Sequence, residues 1–198
     1  MARRHQHPLH YAAKKGQAST VDALLKKGEL PDSVDERGRT AMHYAARAGC
    51  IDAVVVLEKA GGLISAKDEE GDTPMHIAAA NGSLHVISFL YVAGVDYDAT
   101  NNYGETPLHA AAEWGQDKAV ASLIKNGAYI NMQDEDGWTP LHSAAWFGHK
   151  DAARVLIEKG AGTSIAASDG RTPLDVATER EHKAVIELLE GVAALPTH

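Results

Sequence analysis

One short pattern recurs six times at a fixed interval of 33 residues. "HPLHYAA" begins at residue 7, "TAMHYAA" at 40, "TPMHIAA" at 73, "TPLHAAA" at 106, "TPLHSAA" at 139 and "TPLDVAT" at 172. A period of this length marks a supersecondary unit that cannot bury its own apolar face and gains stability by stacking on copies of itself. The flanks repeat as well. Turn segments "DERGRT", "DEEGDT", "NNYGET", "DEDGWT" and "ASDGRT" precede five copies, and apolar stretches such as "DAVVVLEKAG", "HVISFLYVAG", "KAVASLIKNG" and "DAARVLIEKG" follow.

Each unit has a physical reading. The Gly of the turn supplies a positive φ, and the Asp that opens it can bond its own backbone in an Asx-turn, so this part projects from the helices. Thr40, Thr73, Thr106, Thr139 and Thr172 stand at an N-cap, with Pro74, Pro107, Pro140 and Pro173 at the first helical position, where a missing N–H does no harm. The Ala pairs 45–46, 78–79, 111–112 and 144–145 let neighbouring helices approach closely. A second helix follows, with helical apolar spacing at Val120, Leu123 and Ile124, closing at Gly127.

With these residues the unit resembles the ankyrin repeat, whose "TPLHxAA" signature at 33 residues is among the more specific repeat signals. The resemblance runs from residue 2 to about 192. It implies an all-α solenoid of stacked helix–turn–helix units with β-turn fingers along one edge, as a single domain over 1–198 with repeats near 2–34, 35–67, 68–100, 101–133, 134–166 and 167–195. Repeat 1 lacks the turn before His7. Repeat 6 has Asp175 in place of the motif histidine and "TEREH" in place of the glycine. Terminal repeats meet water on one face, so these two are expected to act as caps, and the chain reads as complete.

Composition narrows the function. No stretch approaches the roughly 18 to 20 apolar residues of a membrane span, and the N-terminus has no apolar leader, so no membrane role is expected and the chain should stay in the cytoplasm or nucleus. The single cysteine, Cys50, forms no internal disulfide. Of the formal charge of −8, residues 1–34 contribute +3, leaving a body of −11 that disfavours nucleic acid as a partner.

The eleven histidines raise a metal hypothesis, yet His10, His43, His76, His109 and His142 are the motif histidine, one per repeat. Packed helices lie about 8 to 10 Å apart, whereas two ligands of one zinc need nitrogens roughly 3 to 4 Å apart. The expected role is structural, each imidazole bonding the backbone of a turn loop. His5 and His7 could hold stray metal only weakly. Cys50 has no evident activating base, and no nucleophile elbow, phosphate loop or zinc-protease motif occurs, so neither catalysis nor a cofactor is expected. Asn131 looks like ankyrin asparagines that are hydroxylated in animals, and also like an ordinary loop residue of the repeat.

The copies control one another: fixed positions hold the stack, and variable ones are available for recognition. The resemblance places partner contacts at finger tips and at the two residues after each Ala pair. The aromatics at these positions are Tyr103, Trp114, Trp138, Trp146 and Phe147, all in repeats 4 and 5 and expected to be exposed. The acidic ones include Glu69, Glu70, Asp72, Glu105, Glu113, Glu135 and Asp136, and turns 68–72, 101–105 and 134–138 sum to the whole formal charge. Tyr11 and Tyr44 follow the motif histidine and are expected in the core.

Trp, Tyr and Arg dominate binding hot spots. The expectation is a non-catalytic interaction module, monomeric alone, holding a partner with basic and apolar contact residues around repeats 4 and 5. A narrower alternative is a proteasome-assembly chaperone similar to gankyrin, supported by size and the lack of extra domains.

Overall fold

The computed structural model describes residues 7–193. The first residues of repeat 1, with His5, and the last of repeat 6 lie outside the described residues. Helices come in pairs, one short and one longer per repeat. The first helices are α1 (Pro8–Lys14), α3 (Ala41–Ala48), α5 (Pro74–Ala80), α7 (Pro107–Glu113), α9 (Pro140–Trp146) and α11 (Pro173–Glu179). The second helices are α2 (Ala18–Lys26), α4 (Ile51–Lys59), α6 (Leu84–Val92), α8 (Asp117–Lys125), α10 (Lys150–Glu158) and α12 (Lys183–Ala193).

Each first helix packs on the next, α1 to α3 to α5 to α7 to α9 to α11, and the second helices form a parallel row behind them. The result is an all-α repeat solenoid, with no strand and no helix long and apolar enough to cross a membrane among the described residues. The core runs between the two rows. Ala45, Ala46, Ala78, Ala79, Ala111, Ala112, Ala144 and Ala145 are fully buried, which permits the close approach of first helices, and Leu57, Leu90, Leu123 and Leu156 fill the space behind them.

The threonines cap as their position predicts. Thr106 has extended backbone (φ −96°, ψ 167°) just ahead of α7, and Pro107 takes the first helical position. Helix α8 ends one residue earlier than its apolar pattern suggests: Asn126 is the cap, and Gly127 follows with φ +104°.

Fingers are built by an acceptor at their first residue. Asp68 Oδ1 accepts from the N–H groups of Glu70 and Asp72, Asn101 Oδ1 from Tyr103 and Glu105, and Asp134 Oδ1 from Asp136 and Trp138. Each finger then bonds the one before it: Asn102 N–H donates to Glu70 O, Glu135 N–H to Tyr103 O and Ser168 N–H to Asp136 O, each within 3.0 Å. Glycine is required where fingers touch. Gly104 has φ +78°, and a Cβ there would lie 2.9 Å from the Glu135 nitrogen.

The end repeats depart as their sequences do. At repeat 1 no side chain caps α1, and His10 Nδ1 is buried without a partner. At repeat 6 the Asp175 carboxylate accepts from both the Thr172 N–H (2.8 Å) and hydroxyl (2.6 Å), keeping the cap with a side chain too short to reach further. Tyr11 corrects an expectation: it is 41% exposed instead of core. Tyr44 is drawn further in, to half-buried, where its hydroxyl donates to Asp35 Oδ2 at 2.6 Å.

Candidate functional site

The motif histidines of repeats 2 to 5 account for both of their ring nitrogens. In repeat 4 the Thr106 N–H donates to His109 Nδ1 at 3.1 Å, with the Thr106 hydroxyl 2.9 Å from the same nitrogen. That assigns the proton to Nε2, which donates to the Trp138 carbonyl at 3.0 Å in the next finger. His43 reaches Asp72 O, His76 Glu105 O and His142 Arg171 O in the same way. Burial lowers the pKa of all four, that of His109 to about 4. Neutral imidazoles bonded to backbone are scaffold, as expected.

Cys50 and Asn131 also serve the scaffold. Cys50 Sγ donates to Gly16 O at 3.3 Å, and Asn131 Oδ1 accepts from Gly162 N–H at 2.9 Å, linking adjacent outer loops as Asp32 and Asp98 do. Asp68, Glu70 and Asp72 bring carboxylate oxygens together, but Arg39 occupies two of the three: Nε donates to Asp68 Oδ2 and Nη2 to Glu70 Oε2, both at 3.0 Å.

What the repeat leaves unexplained lies where fingers meet the ends of first helices. The aromatics expected on this face separate into two groups. Trp114 is 63% exposed, Tyr103 58% and Phe147 47%. Trp138 and Trp146, expected to be exposed, are half-buried and packed on the core. Their rings meet edge to face at 5.2 Å, the Arg180 guanidinium lies 3.5 Å over the Trp146 ring, and Arg171 lies 5.9 Å from both. Arg171 is held in turn by Asp169 at 2.7 Å and by Glu179. Arginine planes over indoles are favourable and exclude water. Arg180 was not anticipated from the motif. It stands 33 residues after Phe147, and that spacing could have revealed it.

Beside Trp114 opens a hollow of about 220 Å³ lined by Arg39, Tyr44, Arg47, Asp72, Asn81 and Trp114, among others. It draws on repeats 2 to 4, toward the N-terminus of the region marked by the aromatics. Asn101, also unanticipated, bridges Asp72 of the hollow to the acid of the next finger: Nδ2 donates to Asp72 Oδ1 (3.0 Å) and Glu105 Oε2 (2.8 Å). Burial raises the pKa of Glu113, with the Glu105 and Asp72 carboxylates adding to it. Burial likewise raises Glu105. Glu113, Asp72 and Glu105 are more enclosed than Glu69, Glu135 and Asp136; Glu113 and Glu105 are half-buried, whereas Glu135 and Asp136 are exposed at a finger tip.

Chemically, this face offers an apolar indole edge, crowded carboxylates and hydrogen-bonding groups. Ankyrin repeats are generally protein–protein interaction modules, typically non-catalytic. Three models of ankyrin repeats match the chain, one of three copies over residues 2–68 and two of many copies over 61–111 and 108–157. A comparison with curated proteins gives no match. With the 33-residue period, the paired helices and the histidine links between repeats, the chain belongs to the ankyrin repeat family.

Proposed function

We propose that the protein is a non-catalytic adaptor that holds a protein partner on the face made by its fingers and first helices, with Trp114 as the anchor. The observation that carries this reading is an indole 63% exposed at the rim of an open hollow. A side chain of that size gains little by standing in water, and it becomes a strong contact once a partner covers it. Tyr103 and Phe147 extend the apolar area, and Glu69, Glu135 and Asp136 form an acidic rim. Asp72, Glu105 and Glu113 add carboxylates deeper in the face, and Glu70 is shared with Arg39. Trp138 and Trp146 then form a rigid wall, presenting only the parts of their rings that Arg171 and Arg180 leave open.

Affinity capture with the wild type and a Trp114→Ala variant, compared by mass spectrometry, tests this. The partner should be lost from the variant while its melting is unchanged. Retention of every specific protein by the variant overturns the reading.

A further inference from the structure

The first-helix ends and finger bases form a row of charges whose sign changes along the stack. At the N-terminal end stand Lys14, Lys15 and Arg47, all exposed. Among the described residues, neither Lys14 nor Arg47 has an ion-pair partner, and Lys15 leans over the Tyr11 ring at 5.8 Å. Two repeats further on, at the position equivalent to Arg47, stands Glu113, likewise without an ion pair among the described residues and crowded by Asp72 and Glu105. Between them lies Asn81, whose Nδ2 donates to Ile77 O at 2.8 Å, leaving its carbonyl oxygen as an acceptor. Trp114 stands beside Glu113, and the 220 Å³ hollow joins Arg47, Asn81 and Trp114.

We propose that this face takes an extended peptide segment of ordered charge: acidic residues over Arg47 and the two lysines, an apolar side chain in the hollow against Trp114, and a basic residue at Glu113. This rests on the adaptor reading and specifies its ligand. The ordering follows from charge complementarity. A uniformly basic segment meets Lys14, Lys15 and Arg47, and a uniformly acidic one meets Asp72, Glu105 and Glu113, so each is repelled over half its length. The spacing follows from geometry. Packed helices lie about 8 to 10 Å apart and an extended chain advances about 3.3 Å per residue, so about three peptide residues pass each repeat. The acidic and basic residues should therefore stand about six apart, with the apolar side chain between them. The acceptor of Asn81 lies midway, where a backbone N–H of the segment passes. Burial of the basic side chain beside Glu113 would supply the cation that the three carboxylates lack, lowering the pKa of Glu113 from its raised value.

The test uses the full chain and three synthetic peptides of about 12 residues with the same central Leu and Val. One is acidic at one end and basic at the other with about six residues between the charges, one is basic at both ends and one acidic at both. Titrations followed by calorimetry should show the mixed peptide binding about tenfold more tightly than either other peptide. Arg47→Glu should weaken the mixed peptide about tenfold and strengthen the all-basic one. Glu113→Lys should weaken the mixed peptide and strengthen the all-acidic one. Equal binding of the mixed and all-basic peptides, or binding of none, overturns the ordered-charge proposal. Loss of the captured partner from Trp114→Ala alongside such a result leaves the adaptor reading standing, and retention of that partner removes the adaptor reading itself.

Discussion

His109 and Trp138 are joined across a repeat boundary, the imidazole Nε2 donating to the Trp138 carbonyl at 3.0 Å while Nδ1 holds the cap of its own helix. One side chain therefore starts a helix and fixes the next finger. His109→Ala should cost about 3 kcal/mol in urea unfolding, from two lost bonds, buried groups left unpaired and a small cavity. His109→Asn, which restores an acceptor for Thr106 but cannot reach Trp138, should recover about 1 kcal/mol. A cost below about 1 kcal/mol for the alanine variant would contradict the linking role.

Acid should loosen the stack. Burial holds the folded pKa of His109 at about 4, against an ordinary value of 6.5. Below that ordinary value the unfolded chain binds a proton that the folded one does not, so stability is full above about pH 6.5 and is lost as pH falls toward 4. His109 alone contributes about 3 kcal/mol to that loss, and burial shifts His43, His76 and His142 in the same direction. Glu105 and Glu113, raised chiefly by burial, act in the opposite sense: the stability they withhold at neutral pH returns as they protonate. Unfolding free energies of the wild type and His109→Asn across this range separate the two. The variant's slope should be shallower by up to about 1.4 kcal/mol per pH unit, and equal slopes contradict the assignment.

Repeat 1 is open to repair. His7 occupies the threonine position without capping α1, and His10 Nδ1 has no partner, although its Nε2 still reaches Arg39 O at 2.8 Å. His7→Thr should supply a hydroxyl and an extended cap, raising stability by about 1 kcal/mol in thermal or urea unfolding. The edge contact between the two rings at 4.9 Å is lost in exchange and contributes less. No gain in the unfolding midpoint would show that the His10 nitrogen is satisfied in some other way.

The two tryptophans that follow Ala pairs should behave differently. Trp146, beneath Arg180 and against Trp138, should cost about 2 to 3 kcal/mol as Trp146→Ala. Trp114→Ala should change stability by no more than about 0.5 kcal/mol. Comparable melting of the two variants would contradict the division between packed and exposed aromatics.

The scaffold was legible because repetition isolates it. Thr106, Pro107, His109 and the Ala pair recur with one chemistry each, and local rules for caps and turns apply to them unaided. The burial of Trp138 and Trp146 was not legible, because it is decided by Arg171 and Arg180 from the following repeat. A motif treats those arginines as solvated charges. The hollow beside Trp114 was hidden for a related reason. It is made by side chains of three repeats, and a pattern within one repeat contains no trace of it. Tyr11 and Tyr44 share a position in the repeat and differ in burial: repeat 2 has a finger, and its Asp35 holds the Tyr44 hydroxyl, whereas repeat 1 has no such turn in its sequence.

The most direct measurement of the central claim places a photo-crosslinking residue at Asn81, beside the hollow, and in a second protein at Tyr129, exposed on the outer loop. Both are irradiated in the presence of the captured partner. The account predicts a covalent adduct from position 81 and none from position 129. An adduct from 129 with none from 81 would place the partner away from the hollow and contradict it.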